Sequence, residues 1–365
     1  MVIAIDIRPL LESEQTGVSV YTKELIDELV KNKNHQFILF YNSWGKEISD
    51  VWSKEHIKLR RFGLPNKLFN ALQTIFRENY FDDLIPEADY FLFPNLNFWS
   101  LRQKPYGVVI HDISFERYGE FFNFKSRLWH QAIDVPEKLH SARDIFAVSA
   151  YTVSDVADFY KIKNEKIKIA HPGLPAKAEI NLSKPTNPYF LFLGRIEERK
   201  NVLAIIEAFI KLKTQKKCAE YTLVLAGPMV KNTKYNKKIS KIIAGRTDIN
   251  FIGFTTDNQK NNLLGLAVAL IYPSFYEGFG FPPLEAQRCG VPVVASNTSS
   301  MPEIISNSGI LIDPDRVDDI VWAMDEVANN EATRKMLIAR GLENVKRFNW
   351  SQTAKIIESV INSKS

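Results

Sequence analysis

The chain has 365 residues, 45% hydrophobic and 24% charged, an ordinary globular composition that excludes a disordered, collagen-like or disulfide-stapled protein. A chain of this length is expected to fold as two domains, each large enough to bury a core. Its net charge is only +5, which argues against a nucleic-acid groove and leaves anionic small molecules or an anionic membrane face as partners.

The opening "MVIAIDIRPLL" is apolar but interrupted by Asp6 and Arg8, so it reads as a first strand rather than the core of a signal peptide. No uninterrupted apolar stretch reaches spanning length, so any membrane contact is expected at the surface, and the expected location is cytoplasmic. After the helix-period segment "VYTKELIDELVKN", the runs "QFILFY", "DYFLFP", "GVVIHDI", "DIFAVS" and "IKIAHP" are rich in Val, Ile and Phe and read as further strands. Between the first two of these, residues 66–81 place Leu68, Phe69, Leu72, Ile75 and Phe76 on one stripe, read as a core face. The alternation restarts after residue 188 with "YFLFLGR", "YTLVLAGP", "INFIGF", "ALIYPS" and "VPVVAS", most of them continuous apolar runs of the kind buried in parallel sheets.

Two doubly wound α/β domains follow, 1–180 and 181–349. The proline-bearing stretch 173–188 is the expected hinge, and the terminal segment 350–365 is free to pack back on either domain. Cys218 and Cys289 are far apart, with no C-x-x-C spacing, so both read as buried thiols rather than a disulfide or zinc site.

In an open parallel sheet, ligands sit at the carboxyl ends of the strands. "YFLFLGRIEERKN" places Gly194 and Arg195 at a strand tip and Lys200 near the next helix start, where two cations and a helix dipole suit a phosphate or diphosphate. Gly227 and Gly253 end the next two strands and admit close approach of a ligand, with Phe254 placed to border a base. In "EGFGFPPLEA", Glu277 closes a strand, Gly278, Phe279 and Gly280 form a turn, and Pro282 and Pro283 open a helix carrying Glu285. A carboxylate at each end of such a turn is suited to sugar or ribose hydroxyls, and the turn's amides to phosphate or hydroxyl oxygens. In the first domain, His111 and Asp112 end "GVVIHDI", and Gly17 lies in a turn leading into a helix. "DPD" at 313–315 reads as a helix cap on Asp315 rather than a metal motif, so no metal is expected.

Glu277 and Glu285 with seven residues between them, "GRIEERKN" at 194–201 and "MPEII" at 301–305 together resemble the donor site of the retaining GT-B glycosyltransferases of glycosyltransferase family 4, over nearly the whole chain. The resemblance implies two Rossmann-like domains facing a central cleft, with the acceptor side in the first and the nucleotide-sugar side in the second. It implies that Glu277 faces the transferred sugar, Glu285 binds ribose hydroxyls, Arg195 and Lys200 neutralise the diphosphate, and the amides around Phe279 and Gly280 hold sugar hydroxyls and phosphate. It places His111 near the reacting sugar, with Asp112 beside it. The family usually has three glycines where this chain has Thr16, Gly17 and Ser19, which leaves Gly17 alone to approach the donor phosphate. The region around 66–81 often serves the acceptor or a membrane surface in that family.

The implied reaction is hexose transfer with retention to a glycan hydroxyl, the acceptor being a bacterial surface glycan of O-antigen or capsule type, in some cases lipid-linked. The context of "VIHDISFERYGEFF" resembles bacterial polysaccharide mannosyltransferases, which implies GDP-mannose, with UDP-sugars or rhamnosyl donors as alternatives. The nucleotide sugar is a substrate, and no cofactor is expected. A sugar-nucleotide epimerase or hydrolase would need no glycan acceptor, and a non-catalytic nucleotide-sugar sensor would never turn its ligand over. A nicotinamide dehydrogenase lacks support because no G-x-G-x-x-G follows the first strand.

Overall fold

The computed structural model describes residues 1–12, 16–48, 52, 54–74, 80–122, 124–175, 186–229 and 233–363. The chain divides into two units, Met1–Pro175 with Phe348–Ser365, and Ala176–Arg347. Most of the expected hinge, 176–185, lies outside the described residues.

In the first unit, β1 (Val2–Asp6), β2 (Gln36–Asn42), β3 (Ile57–Phe62), β4 (Tyr90–Phe93), β5 (Tyr106–Ile110), β6 (Asp144–Ala147) and β7 (Ile167–Ile169) form a parallel sheet in the order β3-β2-β1-β4-β5-β6-β7. β1, β4, β5 and β6 are buried nearly throughout, as strands covered by helices on both faces must be. β3 has no counterpart among the expected strands. Lys58, Arg60 and Arg61 interrupt its apolar pattern, which an edge strand tolerates because one flank meets water.

The core on one side of this sheet is aromatic: Phe40, Phe81, Phe91, Phe93 and Trp99 are buried together, with the Phe93 and Trp99 rings stacked at 4.2 Å. The helix Asn66–Thr74 adds Phe69 to this cluster, stacked on Phe62 at 5.9 Å and fully buried. Leu68 beside it is 47% exposed, so the expected stripe does not present a single face. Ile75 and Phe76 lie outside the described residues.

The terminal helix Trp350–Asn362 belongs to the first unit. Trp350, Thr353, Ala354, Ile357 and Ile361 form its buried face at helical spacing. Thr353 Oγ1 donates to the carbonyl of His171, and Arg143 Nη2 donates to that of Ile361 at 3.0 Å, a cation at the negative end of the helix. Gly173 permits the close approach, since a Cβ there would lie 2.3 Å from the Trp350 nitrogen.

In the second unit, β8 (Tyr189–Leu193), β9 (Thr222–Ala226), β10 (Ile249–Gly253), β11 (Ala269–Tyr272), β12 (Val293–Ser296) and β13 (Ile310–Ile312) are parallel in the order β10-β9-β8-β11-β12-β13. Each sheet therefore starts at its centre, builds to one edge and then restarts on the other side. The reversal falls between β1 and β4 in the first unit and between β8 and β11 in the second, the topological position at which open α/β sheets bind ligands. β10 is an edge strand, and Phe251 and Ile252 on it are exposed rather than covered. Both cysteines are free thiols. Cys218 is buried, whereas Cys289, at the end of the helix Phe281–Arg288, is only half-buried.

Candidate active site

The second unit's site assembles around the reversal between β8 and β11. β8 and β9 end in Gly194 (φ +146°) and Gly227 (φ +136°), and a Cβ on Gly227 would lie 2.0 Å from the Gly194 carbonyl oxygen. The Gly227 amide in turn donates to the Gly253 carbonyl at 2.7 Å, so three strand ends close on one another through backbone alone. Beyond β8, a single turn at Glu198–Lys200 leads to Asn201, whose left-handed backbone (φ +54°) starts the helix Val202–Thr214. The Asn201 side chain holds that conformation by donating to the Pro314 carbonyl at 2.7 Å.

This turn drives Lys200 inward. Its ammonium is buried, donates to the Tyr272 hydroxyl at 2.9 Å and pairs with Glu277 Oε1. Arg199 reaches the same carboxylate from the other side, with Nη1 3.3 Å from Glu277 Oε2, and also holds the Tyr276 carbonyl and Glu197 Oε1. The Phe275 amide donates to the Arg199 carbonyl at 2.9 Å, locking the segment after β11 to the segment after β8. Burial raises the Glu277 carboxyl, but Lys200 and Arg199 outweigh burial and bring it down to about 2. The Lys200 ammonium is lowered by burial and by Arg199, against the pull of Glu277. Glu277 is therefore a buried, ionised carboxylate with a cation on each oxygen.

The Glu277 backbone is fixed as firmly. Its amide donates to Ser299 Oγ at 3.0 Å, and Ser300 Oγ donates to the carbonyls of Glu277 and Phe279 at 3.0 and 3.1 Å. Gly278, Phe279 and Gly280 make a buried turn. Gly280 has φ +96°, and a Cβ on it would meet Met301 at 2.4 Å. The helix Phe281–Arg288 begins with Pro282 and Pro283, which carry no N–H, so the donors this helix start can offer come from Gly280 and Phe281. Glu285 is buried and accepts from Lys260 Nζ at 2.8 Å, while its Oε2 has no hydrogen-bond partner among the described residues. Lys260 comes from the helix Asp257–Leu266. Burial lowers its ammonium, and Glu285 and Asp257 reverse that to a net rise. Arg195 is exposed and makes no hydrogen bond or ion pair with a described residue, and Phe254 at the end of β10 is 57% exposed.

In the first unit, His111 follows β5. Its Nε2 lies 2.8 Å from the Pro94 carbonyl, so Nε2 carries the proton and Nδ1 is left as an acceptor. Burial lowers its pKa, with the Pro94 carbonyl and Asp112 pulling the other way, and the ring packs edge-on against buried Tyr21 at 4.8 Å. Asp112 Oδ1 accepts from the amide and hydroxyl of Ser114 at 2.9 and 2.6 Å and so organises the short helix after His111. Gly17 is exposed as the first residue of the helix Gly17–Leu29, behind a capping box between Thr16 and Ser19.

A family model described as Glycosyltransferase Family 4 matches residues 15–177, and one described as Glycosyl transferases group 1 matches residues 175–344. Over 367 aligned residues, covering 92% of this chain and 93% of the relative, the chain is 29% identical to O-antigen chain mannosyltransferase B of Escherichia coli. The chain belongs to the GT-B glycosyltransferases. Its fold matches that of sucrose-phosphate synthase from Thermosynechococcus elongatus with a TM-score of 0.75 at 17% identity, covering 99% and 98% of the two chains. It likewise matches that of HepE from Anabaena in complex with UDP and glucose, with a TM-score of 0.72 at 17% identity over the full length of both.

Of the residues singled out from the sequence of this glycosyltransferase, Lys200, Glu277 and the glycine turn are brought together, with Glu285 on the helix that follows. Two partners were missed. Arg199 lies in the same motif as Lys200, but a run of charged residues gives no sign of which side chains turn inward. Lys260 is distant in sequence from Glu285, and a lysine in a polar helix carries no signal at all. Asp315 is not the helix cap expected of it. Its amide donates to Asp313 Oδ1 at 3.0 Å in a tight turn after β13, and Arg316 occupies the capping position of the helix Val317–Asn329. Among the described residues no cluster of three or more His, Cys, Asp or Glu side chains is arranged to hold a metal.

Proposed function

We propose that this glycosyltransferase moves mannose from GDP-mannose, with retention of anomeric configuration, to a hydroxyl of a growing bacterial surface glycan of O-antigen or capsule type. The observation that carries the reading is the buried Glu277 carboxylate, held ionised between Lys200 and Arg199 at the reversal point of the second sheet. The relative named as an O-antigen chain mannosyltransferase supports the choice of sugar and acceptor.

In this reading the departing diphosphate gathers negative charge as the sugar becomes cationic. Arg195, Arg199 and Lys200 supply three positive charges against the two carboxylates Glu197 and Glu277, and the excess stabilises the leaving group. Because Lys200 and Arg199 are fixed before the reaction, little reorganisation of these two is needed as charge develops. Glu277 faces the transferred sugar, the free oxygen of Glu285 takes a ribose hydroxyl, and Phe254 borders the base. Gly194, Gly227, Gly278, Phe279 and Gly280 provide close backbone approach to the donor. On the first unit, neutral His111, with Nε2 held by Pro94, presents Nδ1 as an acceptor. The leaving phosphate takes the acceptor proton on the same face, so no protein nucleophile and no metal is required.

The test is thermal stability against GDP, UDP, dTDP and ADP, since a ligand that binds only the folded state stabilises it by mass action. A selective shift with GDP, followed by transfer from GDP-mannose to a product of retained configuration by NMR, is expected. A shift with UDP or dTDP alone replaces the donor with a UDP-sugar or a rhamnosyl nucleotide. Donor turnover without any glycan acceptor would indicate a hydrolase or epimerase, and binding without turnover a sensor.

A further inference from the structure

We infer that Tyr272, the last residue of β11, is a positioning residue for the transfer: its hydroxyl aims the Lys200 ammonium at the leaving phosphate. The inference rests on the transfer reaction proposed above and names a residue that acts on it through Lys200. An ammonium has three N–H bonds. Lys200 gives one to the Tyr272 hydroxyl at 2.9 Å and one to Glu277 Oε1, and the third has no acceptor among the described residues. In a side chain only a tenth exposed, a donor left open is costly unless a ligand takes it. Two anchors fix where that donor points, because a single anchor would let the ammonium turn about its Cε–Nζ bond. The two anchors differ in charge. Glu277 is ionised and offsets the charge it holds. Burial, then Glu277, keep the Tyr272 phenol well above its ordinary pKa against the pull of Arg199, so this anchor is neutral and leaves the charge of Lys200 to the phosphate.

Packing does not account for the hydroxyl. Tyr272 is fully buried, its ring is stacked on Phe192 at 6.2 Å, and it stands opposite Ala295 in the pairing of β11 with β12. A phenylalanine would fill the same space, and a buried hydroxyl costs free energy unless it is hydrogen-bonded. Lys200 satisfies it. The ring makes its own contribution, since Lys200 Nζ lies 5.2 Å from its centroid, and a phenylalanine would keep that contact. Tyr272→Phe therefore subtracts the oxygen alone and leaves Lys200 free to turn on Glu277. The charged and titratable groups facing Lys200 are Arg199 and Glu197 from its own turn, Tyr272 from β11 and Glu277 from the turn beyond it, and only Tyr272 changes in this variant.

The experiment follows the Lys200 ammonium by NMR in the full chain carrying 15N-lysine, assigned with Lys200→Ala, and compares wild type with Tyr272→Phe in GDP binding and in transfer from GDP-mannose. In the variant Lys200 should titrate roughly one pH unit lower, because an acceptor that favoured its charged form is gone. The turnover number kcat should fall roughly tenfold, as loss of a hydrogen bond to a charged group implies, while the donor KM and the GDP-induced thermal shift stay unchanged. Since the cationic form of Lys200 is the active one, the alkaline limb of kcat moves to lower pH with it. In a Lys200→Ala background, Tyr272→Phe should cost no further turnover. Replacing Tyr272 by 3-fluorotyrosine, whose oxygen accepts more weakly in the same place, should give a smaller loss in the same direction, and it decides the matter if the phenylalanine variant does not fold. An unmoved Lys200 titration, a loss that falls on the donor KM instead of kcat, or a lower melting temperature with kcat and its alkaline limb unchanged would each overturn the inference, the last being the mark of a purely structural hydroxyl. A Lys200 that titrates lower in the variant of a protein that transfers no mannose would sink the proposed reaction and leave the anchoring of Lys200 by Tyr272 standing.

Discussion

Replacing Glu277 by Gln removes the negative centre of the buried ion-pair group while keeping its shape. Folding brings this carboxyl from an ordinary 4.5 to about 2, and the Glu277 and Lys200 side chains are no more than a tenth exposed, so little solvent screening applies. A fall of that size corresponds to about 3 kcal/mol of stability at neutral pH. The variant also leaves buried Lys200 beside part-buried Arg199 as neighbouring like charges, and breaking a buried pair from one side costs about 3–5 kcal/mol. Because the folded pKa is depressed, the stabilisation is fully present above about pH 4.5 and is lost as pH falls towards 2. The wild type and Glu277→Gln should therefore differ most near pH 7, and their gap should shrink to less than half by pH 3. With two units in the chain, a single melting curve mixes transitions, so hydrogen exchange in urea on peptides covering β8 and β11 is the suitable readout. Equal stability at pH 7, or a gap that stays constant on acidification, would refute the argument that Glu277 is an ionised partner of the two cations.

Lys200→Ala should lower turnover by roughly a hundredfold or more, as expected for losing one preorganised charge stabiliser, and near-normal turnover in a steady-state transfer assay removes that role. Gly227→Ala puts a methyl 2.0 Å from the Gly194 carbonyl in a left-handed backbone. Strain of this type costs roughly 1–3 kcal/mol, and both the melting temperature and nucleotide binding should fall. Lys260→Met strips the cation from buried Glu285 and should weaken the nucleotide-induced thermal shift. Since the Lys260 pKa is raised on folding, its contribution is present below the unfolded value near 10.5 and is lost as pH rises through the folded one, so variant and wild type should converge in strong alkali. Transfer activity should survive EDTA, and loss on chelation with recovery in magnesium or manganese would contradict a metal-free reaction.

The sequence was most legible where burial on both faces forces a continuous apolar run, as in "YFLFL" and "DIFA", and there each expected strand forms. It was least legible where solvent relaxes the pattern. β3 hides behind Lys58, Arg60 and Arg61 because an edge strand needs only one covered flank, and Phe251 and Ile252 on β10 read as core although they face water. At the site, glycines and prolines marked the turns reliably because φ above zero and a missing N–H are properties of the residue itself. Charged side chains gave no such mark. "EERK" contains four ionisable groups, and which of them turn inward is decided by the left-handed Asn201, anchored to Pro314 far along the chain. The pairing of Lys260 with Glu285 likewise depends on the helix Asp257–Leu266 lying beside the helix Phe281–Arg288, a tertiary fact that no local window contains.

A site for a diphosphate has to remain folded when none is bound, and buried cations without counterions would not permit that. Here each inward-facing cation has a resident carboxylate: Glu277 for Lys200, Glu277 and Glu197 for Arg199, and Glu285 for Lys260. The arrangement divides the work among the cations. Lys200 and Arg199 are already satisfied and held from several directions, so an arriving phosphate gains less from their charge than from their fixed placement, which is what matters when negative charge grows during bond cleavage. Arg195 is exposed and makes no ion pair with a described residue, so its charge is the one left for an arriving ligand. Ground-state affinity for the nucleotide should accordingly depend more on Arg195 and stabilisation of the leaving group more on Lys200, a split between KM and kcat that follows from burial alone.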